Sequence, residues 1–311
     1  MRIVFMGTPE FSVNVLEGLL ARNYEVVLVV TQPDKLVGRK QTLEYSPVKK
    51  AALLHGLPVF QPTKIKDDYQ TVLDANPDII ITAAFGQFIP NIILNYPKYG
   101  CINVHGSLLP KYRGGSPIQT SIINGEKETG ISIMYMASKM DAGDIIVQRS
   151  IPILPEDDNG SMFDKLSVVG RDLLLEVLPS IFEGTNPRIQ QDEANVTYAY
   201  NISHEQQFIN WNKTSEEVIN LIRGLSPNPT ALTSINGTII KIYKAKKVSD
   251  EVSGKPGEVI KLSKELLVCT ADGVISILEL QQAGKNKMDA KSFLNGQKIL
   301  SLNCILENNI I

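Results

Sequence analysis

Residues 101–117, CINVHGSLLPKYRGGSP, pass from an apolar run through a polar loop to a helix start. Cys101 to Val104 reads as the end of a buried strand, and its alternation sets Asn103 and His105 on one side, an amide beside an imidazole. Gly106 breaks the strand. Residues 107–117 then crowd two more glycines, two prolines, Lys111 and Arg113 into a stretch too polar and too punctuated for a core. A helix is expected from Pro117. Strand, polar loop and helix in that order place the loop at the carboxyl edge of a parallel sheet, where open α/β folds bind ligands.

The residues before this stretch agree with that placement. A short strand (3–5), the turn Gly7-Thr8-Pro9, a helix (11–20) and a second strand (26–30) make a βαβ opening. Only Gly7 stands where a dinucleotide fingerprint needs three glycines, and no Lys-Ser pair follows to make a phosphate loop, so nucleotide binding has little support. Residues 31–50 set Lys35, Arg39, Lys40, Lys49 and Lys50 against Asp34 and Glu44, which by itself reads as a solvated loop. Residues 51–54 continue a helix that His55-Gly56 closes. An apolar strand (78–82) leads into residues 83–90, a second candidate pocket wall.

Beyond it, residues 131–136 and 144–148 read as an antiparallel hairpin joined by 137–143, where Asp141 by itself is a turn former. A long helix over 161–182, capped by Ser161, closes a first domain at 1–183. Residues 184–204 read as a linker. In 205–311 the texture changes. A short helix (214–223) carries a Thr214/Glu217 capping box and is stopped by Gly224, Pro227 and Pro229. Five strands follow (231–235, 238–243, 257–261, 266–270, 274–280), with Asn236-Gly237 and Asp272-Gly273 as hairpin turns, which indicates a small closed β-barrel. The predicted fold is α/β: a Rossmann-like parallel-sheet domain followed by that barrel. Lys241, Lys244, Lys246 and Lys247 make a basic edge, readable as protection against strand pairing or as a phosphate-contacting strip.

At 311 residues the chain is long enough for two cores, and with a net charge of -2 and 21% charged residues nothing global suggests a nucleic-acid coat protein or a disordered tail, so any basic surface must be local. The start has no basic region followed by a long apolar core, and no run is long enough to span a bilayer. Three scattered cysteines, Cys101, Cys269 and Cys304, fit a reduced, cytoplasmic chain with no membrane partner.

The chemistry resides in Asn103, His105 and Asp141 taken together. Acyl transfer to an amine needs a donor for the negative charge on the carbonyl oxygen and a base for the amine's proton. Asn103 and His105 suit those tasks, and a carboxylate such as Asp141 beside the imidazole would favour its protonated form and hold its orientation. Ser107 as a hydrolase nucleophile lacks the Gly-x-Ser-x-Gly elbow. The three histidines, at 55, 105 and 204, have no ligand spacing, so no metal is expected.

The run from Asn103 through Pro117, with Thr129-Gly130 and Asp141-Ala142-Gly143-Asp144 downstream, resembles the 10-formyltetrahydrofolate-dependent formyltransferase family. Gly7-Thr8-Pro9-Glu10-Phe11, Thr31-Gln32-Pro33-Asp34-Lys35, Gly38-Arg39, Ser46-Pro47-Val48-Lys49 and Phe293-Leu294-Asn295-Gly296 extend the similarity over nearly the whole chain. The resemblance implies catalysis by Asn103, His105 and Asp141. It also implies 10-formyltetrahydrofolate as cosubstrate, bound at Ser107, Leu108, Leu109 and Pro110, with pterin contacts from Phe85, Gly86, Gln87, Phe88, Ile89 and the 137–141 loop. The flanking motifs and the barrel imply the branch whose acceptor is the α-amine of methionine on initiator tRNA, and hence a role in translation initiation. Arg39 and Lys40 would then meet the tRNA acceptor end, and Lys241 and Lys244 would hold its backbone from an oligonucleotide-binding-like barrel.

A monomer is expected. The chain departs from the family at Pro227-Asn228-Pro229, where a tryptophan often stands between the prolines, so a large packing group is missing from the barrel entrance. Two other readings remain open at this level. A relative acting on an amino sugar or other small amine would share the trio but have no use for Arg39 or the lysine strip. A non-catalytic RNA-binding protein would need the basic surfaces and not the trio.

Overall fold

The structure, a computed structural model, describes residues 1–37 and 41–308. The first half of the chain runs β1 (Arg2–Gly7), α1 (Glu10–Ala21), β2 (Glu25–Val30), β3 (Lys35–Val37), β4 (Thr42–Glu44), α2 (Pro47–Leu54), β5 (Val59–Phe60) and α3 (Gln70–Asp74). It continues with β6 (Ile79–Ala83), α4 (Asn91–Leu94), β7 (Cys101–His105), α5 (Pro117–Ile123), β8 (Glu128–Tyr135), β9 (Ile145–Pro152) and α6 (Asn159–Glu183).

A seven-stranded sheet has the order β5-β2-β1-β6-β7-β8-β9. It is parallel from β5 to β7 and antiparallel at β8 and β9. Ile3, Val4, Phe5 and Met6 are fully buried, as a central parallel strand covered on both faces requires. The direction changes beside β7, so the site residues lie where the parallel part of the sheet ends.

The described parts of the polar stretch 31–50, residues 31–37 and 41–50, are more regular than a solvated loop. They contain the β3–β4 pair and the first turn of α2, which begins at Pro47 because the Ser46 hydroxyl accepts from the Lys49 amide at 3.1 Å. The cap of α6 also differs from expectation. Asp158 accepts from the Ser161 amide at 2.9 Å while the Ser161 hydroxyl accepts from the Asp158 amide at 3.1 Å, so Ser161 is the reciprocal partner of the cap and not the cap itself.

The chain divides into two compact units that interleave in sequence. The first holds Met1–Pro117, Glu128–Pro152 and Phe163–Tyr200; the second holds Ile118–Lys127, Ile153–Met162 and the chain from Asn201 onward. Most of the stretch read as a linker falls in the first unit, pinned by bridges from Ile189 to Ile145 and from Tyr198 to Arg113.

The second unit contains α7 (Ser215–Leu225), β10 (Ala231–Ile235), β11 (Thr238–Ser249), β12 (Val259–Leu262), β13 (Leu266–Cys269), β14 (Val274–Gln282), β15 (Met288–Asp289) and α8 (Ala290–Gly296). The capping box of α7 forms as expected, with both Thr214 and Glu217 bonds in place, and the Lys213 and Thr214 hydrogen bonds hold the Glu217 carboxyl down at about 2. Gly224 does not end this helix. It lies within it, where a β-carbon would come to 2.5 Å from the Ile123 side chain, so its smallness admits α5. Asn228 is exposed, and its carbonyl accepts from the Asn159 amide at 3.3 Å, so the turn between the two prolines is held by backbone in place of a large side chain.

The antiparallel sheet runs β10-β11-β14-β13-β12, with β15 on β14. Bulges around Lys244 and before Ser249 let β11 curl and continue past Tyr243, where the strand was expected to end. Closure comes from the last described residues, where single bridges join Glu307 to Ser234 on β10 and Ile305 to Glu258 beside β12. Trp211, Ile222, Leu225, Ile240, Val268 and Ile277 form the core inside.

The cysteines report on packing. Burial pushes the Cys101 thiol up to about 12, whereas Cys304 is partly exposed. A thiol reagent at neutral pH should therefore modify Cys304 first and Cys101 only on unfolding, because the thiolate is the nucleophile. Equal, fast reaction of both in the native protein would contradict the packing of β7. Among the described residues no helix is long and apolar enough to cross a membrane.

Candidate active site

The site begins on adjacent strands. Thr82 of β6 stands opposite Asn103 of β7, and its hydroxyl donates to Asn103 Oδ1 at 2.8 Å. That bond occupies the amide's oxygen and leaves its two N–H donors for another acceptor. Two residues on, His105 is 5% exposed, with Nε2 at 3.0 Å from the Tyr112 carbonyl. A carbonyl only accepts, so Nε2 carries a hydrogen. Nδ1 lies 3.7 Å from Asp141 Oδ2, too far for a hydrogen bond, so that a proton taken up on this nitrogen would lie beside a carboxylate. Asn103, His105 and Asp141, chosen from sequence, are thus brought into one corner.

Asp141 is held from several sides. Its Oδ2 accepts from the Gly114 amide at 2.9 Å, and its φ of 46° is a left-handed conformation that costs energy for a residue with a side chain. Two residues later, a β-carbon on Gly143 would lie 1.9 Å from the Tyr135 carbonyl, so only glycine lets the loop approach β8 this closely. Gln191 Nε2 donates to the Asp141 and Gly143 carbonyls, each at 2.8 Å. Its Oε1 accepts from Arg113 Nε at 3.0 Å, and Arg113 Nη2 donates to Glu193 at 2.8 Å. Hydrogen bonds from Lys139 and Arg113 hold the Glu193 carboxyl below the usual range.

Residues 107–110 form the neighbouring wall. The Ser107 hydroxyl, fully buried, donates to the Lys111 carbonyl at 2.7 Å and so closes the loop; it is not placed as a nucleophile. Ser132, opposite His105 on β8, donates to the Ser107 carbonyl at 2.6 Å and accepts from the Leu109 amide at 3.0 Å. Gln148 Nε2 adds bonds to Ser132 at 2.8 Å and to the Leu109 carbonyl at 2.9 Å. Leu109 itself packs with Met134 and Ile145.

The 85–89 stretch is held largely by its own side chains. Phe85 and Ile89 turn into the core with Met6, Ile65 and Ile93, and Gln87 is tied to the Pro62 carbonyl at 3.1 Å and the Ile65 amide at 2.7 Å. These three side chains anchor the loop, leaving Gly86 and the 65% exposed Phe88 to face outward. A ligand here would meet mostly backbone.

Arg39 and Lys40 lie outside the described residues. Of their basic neighbours, Lys49 is paired with Asp34 at 2.5 Å and Lys50 with Glu44 at 3.7 Å. The bonds from Lys49 and Gln61 keep the Asp34 carboxyl below its ordinary range. In the second unit Lys241 and Lys244 are exposed and make no ion pair among the described residues, while Lys247 is paired with Asp250 and Asp272.

Sequence reasoning missed Thr82, Ser132, Gln148 and Gln191. For two of them a signal existed: Thr82 and Ser132 are polar residues at buried positions with apolar neighbours on both sides in their strands, where a polar group requires a hydrogen-bond partner.

A family profile described as Formyl transferase matches residues 1–178, and one described as Formyl transferase, C-terminal domain, matches residues 201–298. The chain is 51% identical over 302 residues to the methionyl-tRNA formyltransferase of Bacillus mycoides (strain KBAB4), covering 96% of each. It is 50% identical over 299 residues to that of Staphylococcus aureus (strain MW2), covering 95% of this chain and 96% of the relative. Among solved structures it is similar to HypX from Aquifex aeolicus in complex with tetrahydrofolic acid, with a TM-score of 0.68 and 19% identity over 94% of this chain. It spans 47% of the length of HypX. It is also similar to WlaRD, a sugar 3N-formyl transferase, with a TM-score of 0.65 and 24% identity over 92% of this chain and 99% of the other. At those identities the structural likeness is one of fold.

Proposed function

The chain belongs to the formyl transferase family, and from that membership we propose that it transfers the formyl group of 10-formyltetrahydrofolate to the α-amine of methionine carried on initiator tRNA. The observation that carries the proposal is the meeting of Asn103, His105 and Asp141 at the end of β7. As the amine nitrogen bonds to the formyl carbon, negative charge gathers on the carbonyl oxygen and the amine must lose a proton. The free N–H donors of Asn103 are suited to that oxygen. With Nε2–H committed to Tyr112, Nδ1 is the base, and a proton gained there sits beside the Asp141 carboxylate, which compensates its charge. The carbon–nitrogen bond to the folate then breaks, and the imidazolium can return the proton to the departing nitrogen.

The donor set fits a folate. The backbone at 84–88 and the 107–110 loop offer peptide groups to a polar flat ring, and Ser132 and Gln148 hold the 107–110 loop in place. No step calls for a metal. Lys241 and Lys244 suit a phosphate backbone, and Arg39 with Lys40 the acceptor end. We place the enzyme in the cytoplasm, acting as a monomer.

An assay offering charged initiator tRNA, charged elongator methionine tRNA and amino sugars side by side tests the proposal. Formylation of the initiator alone is expected, and comparable transfer to an amino sugar would overturn it. In the same assay Arg39→Ala should weaken kcat/KM for the initiator by on the order of 1 to 3 kcal/mol. It should also reduce the slope of log affinity against log salt by about one unit while leaving folate binding untouched. Unchanged values across a salt series would remove Arg39 from tRNA recognition.

A further inference from the structure

We propose that Arg113 and Gln191 are positioning residues for this reaction: they set the Asp141 carboxylate against His105 without touching substrate. The inference rests on the reading of Asp141 given above and extends it to a network that crosses the sequence. All of its members belong to the first compact unit.

Three observations carry it. Gln191 donates to the carbonyls on both sides of Ala142, and Arg113 Nε fixes its remaining oxygen, so every polar atom of this amide serves the Asp141 loop. Arg113 grips the same aspartate a second way: the amide that follows it in the chain, that of Gly114, donates to Asp141 Oδ2 at 2.9 Å. The Arg113 backbone that carries this amide is itself clamped to residues 197–199, with its N–H on the Thr197 carbonyl at 2.9 Å and its carbonyl on the Ala199 amide at 2.7 Å. One end of Asp141 is therefore held through a side chain and the other through the main chain of a single arginine.

The third observation is cost. Arg113 is 0% exposed, and its Nη1 is buried without a hydrogen-bond partner among the described residues. A guanidinium buried with an unmet donor is an expensive way to fill a core position, and an apolar side chain would hold the fold at least as well. What an apolar residue could not do is orient Gln191. The loop needs such holding because Asp141 sits at φ 46° and would relax toward commoner backbone conformations if released. With Nδ1 and Oδ2 3.7 Å apart, a small drift of the loop changes how strongly the carboxylate compensates a proton on His105.

The test is a double-mutant cycle in the full-length protein, read by single-turnover formyl transfer. Gln191→Leu keeps the volume and removes the bonds. It should lower the transfer rate about tenfold or more, since misplacing a catalytic group by a fraction of an ångström has effects of that size. Folate binding, measured alongside, should stay close to wild type, and rates are compared well below the melting temperature, which should fall because Arg113 Nε loses its acceptor. In an Asp141→Ala background the same change should have no further effect, because it acts through Asp141. Arg113→Lys, which keeps the charge and loses the fork, should fall between wild type and Gln191→Leu and supplies a second cycle if the leucine variant folds poorly.

The His105 ring nitrogen signals of Gln191→Leu should move toward those of Asp141→Ala. A wild-type rate in Gln191→Leu, or an equal loss in the presence and absence of Asp141, overturns the positioning role while leaving the trio standing. A wild-type rate in Asp141→Ala overturns both.

Discussion

Alanine at His105, Asn103 or Asp141 is expected to lower turnover by at least about a hundredfold, the usual consequence of losing a general base or an oxyanion donor from an enclosed site. Folate affinity should hardly move, because the residues that brace the 107–110 loop, Ser132 and Gln148, are untouched. The three substitutions fail for different reasons, and a second variant separates them. Asn103→Asp preserves shape and can still accept from the Thr82 hydroxyl, but it exchanges the free N–H donors for negative charge where negative charge develops. It should be no better than alanine. His105→Ala leaves Asp141 with its Gly114 bond and nothing to compensate, so the carboxylate alone cannot move the proton. Single-turnover and steady-state rates on charged initiator tRNA decide the matter. Full activity in His105→Ala would remove the imidazole from the mechanism, and activity in Asn103→Asp would remove the amide as a donor.

Local patterns carried the reading of this site, and long-range contacts explain where it stopped. Strand alternation alone set Asn103 and His105 on one side, and β1, α1, β2 and β7 follow from apolar periodicity because their burial is a property of a few adjacent residues. The Arg113–Gln191 bond joins residues 78 apart in sequence, and nothing in either neighbourhood announces the other. Polar stretches hid their contacts in another way: residues 31–37, 41–50 and 184–200 lack periodicity, yet a helix cap, strand pairing and single bridges connect them to the rest. In residues 85–89 the motif located the loop but not its side-chain directions, since two of its apolar residues were needed as anchors in the core.

Barrel closure is the other feature without a local signature, and its removal should have the second large effect. Deleting residues 301–311 takes away the backbone pairs Ser234–Glu307, Gly257–Leu306, Val259–Cys304 and Val259–Asn303, together with Leu306, which is 3% exposed. Hydrogen bonds contribute roughly 1 kcal/mol each and a buried leucine about 1.5 to 3, so the loss is on the order of 5 kcal/mol. That is comparable with the whole stability of a small domain, about 5 to 15 kcal/mol. Trp211, the single tryptophan, is 1% exposed in this core and bonds to Thr233 at 3.1 Å, so its fluorescence reports on the barrel alone.

The expected result is a red-shifted, early-melting tryptophan signal in the deletion variant. The milder Leu306→Ala should show an intermediate shift, because truncating a buried leucine costs about 2 to 5 kcal/mol. Lys241 and Lys244 project from β11, whose course depends on the barrel, so the KM for charged initiator tRNA should rise and its salt dependence flatten. Folate binding should persist, since the 107–110 loop proposed to hold it is braced from β8 and β9. An unchanged tryptophan melt would show that these residues do not close the barrel. A destabilised barrel with an unchanged KM would show that the lysines on β11 do not grip the tRNA.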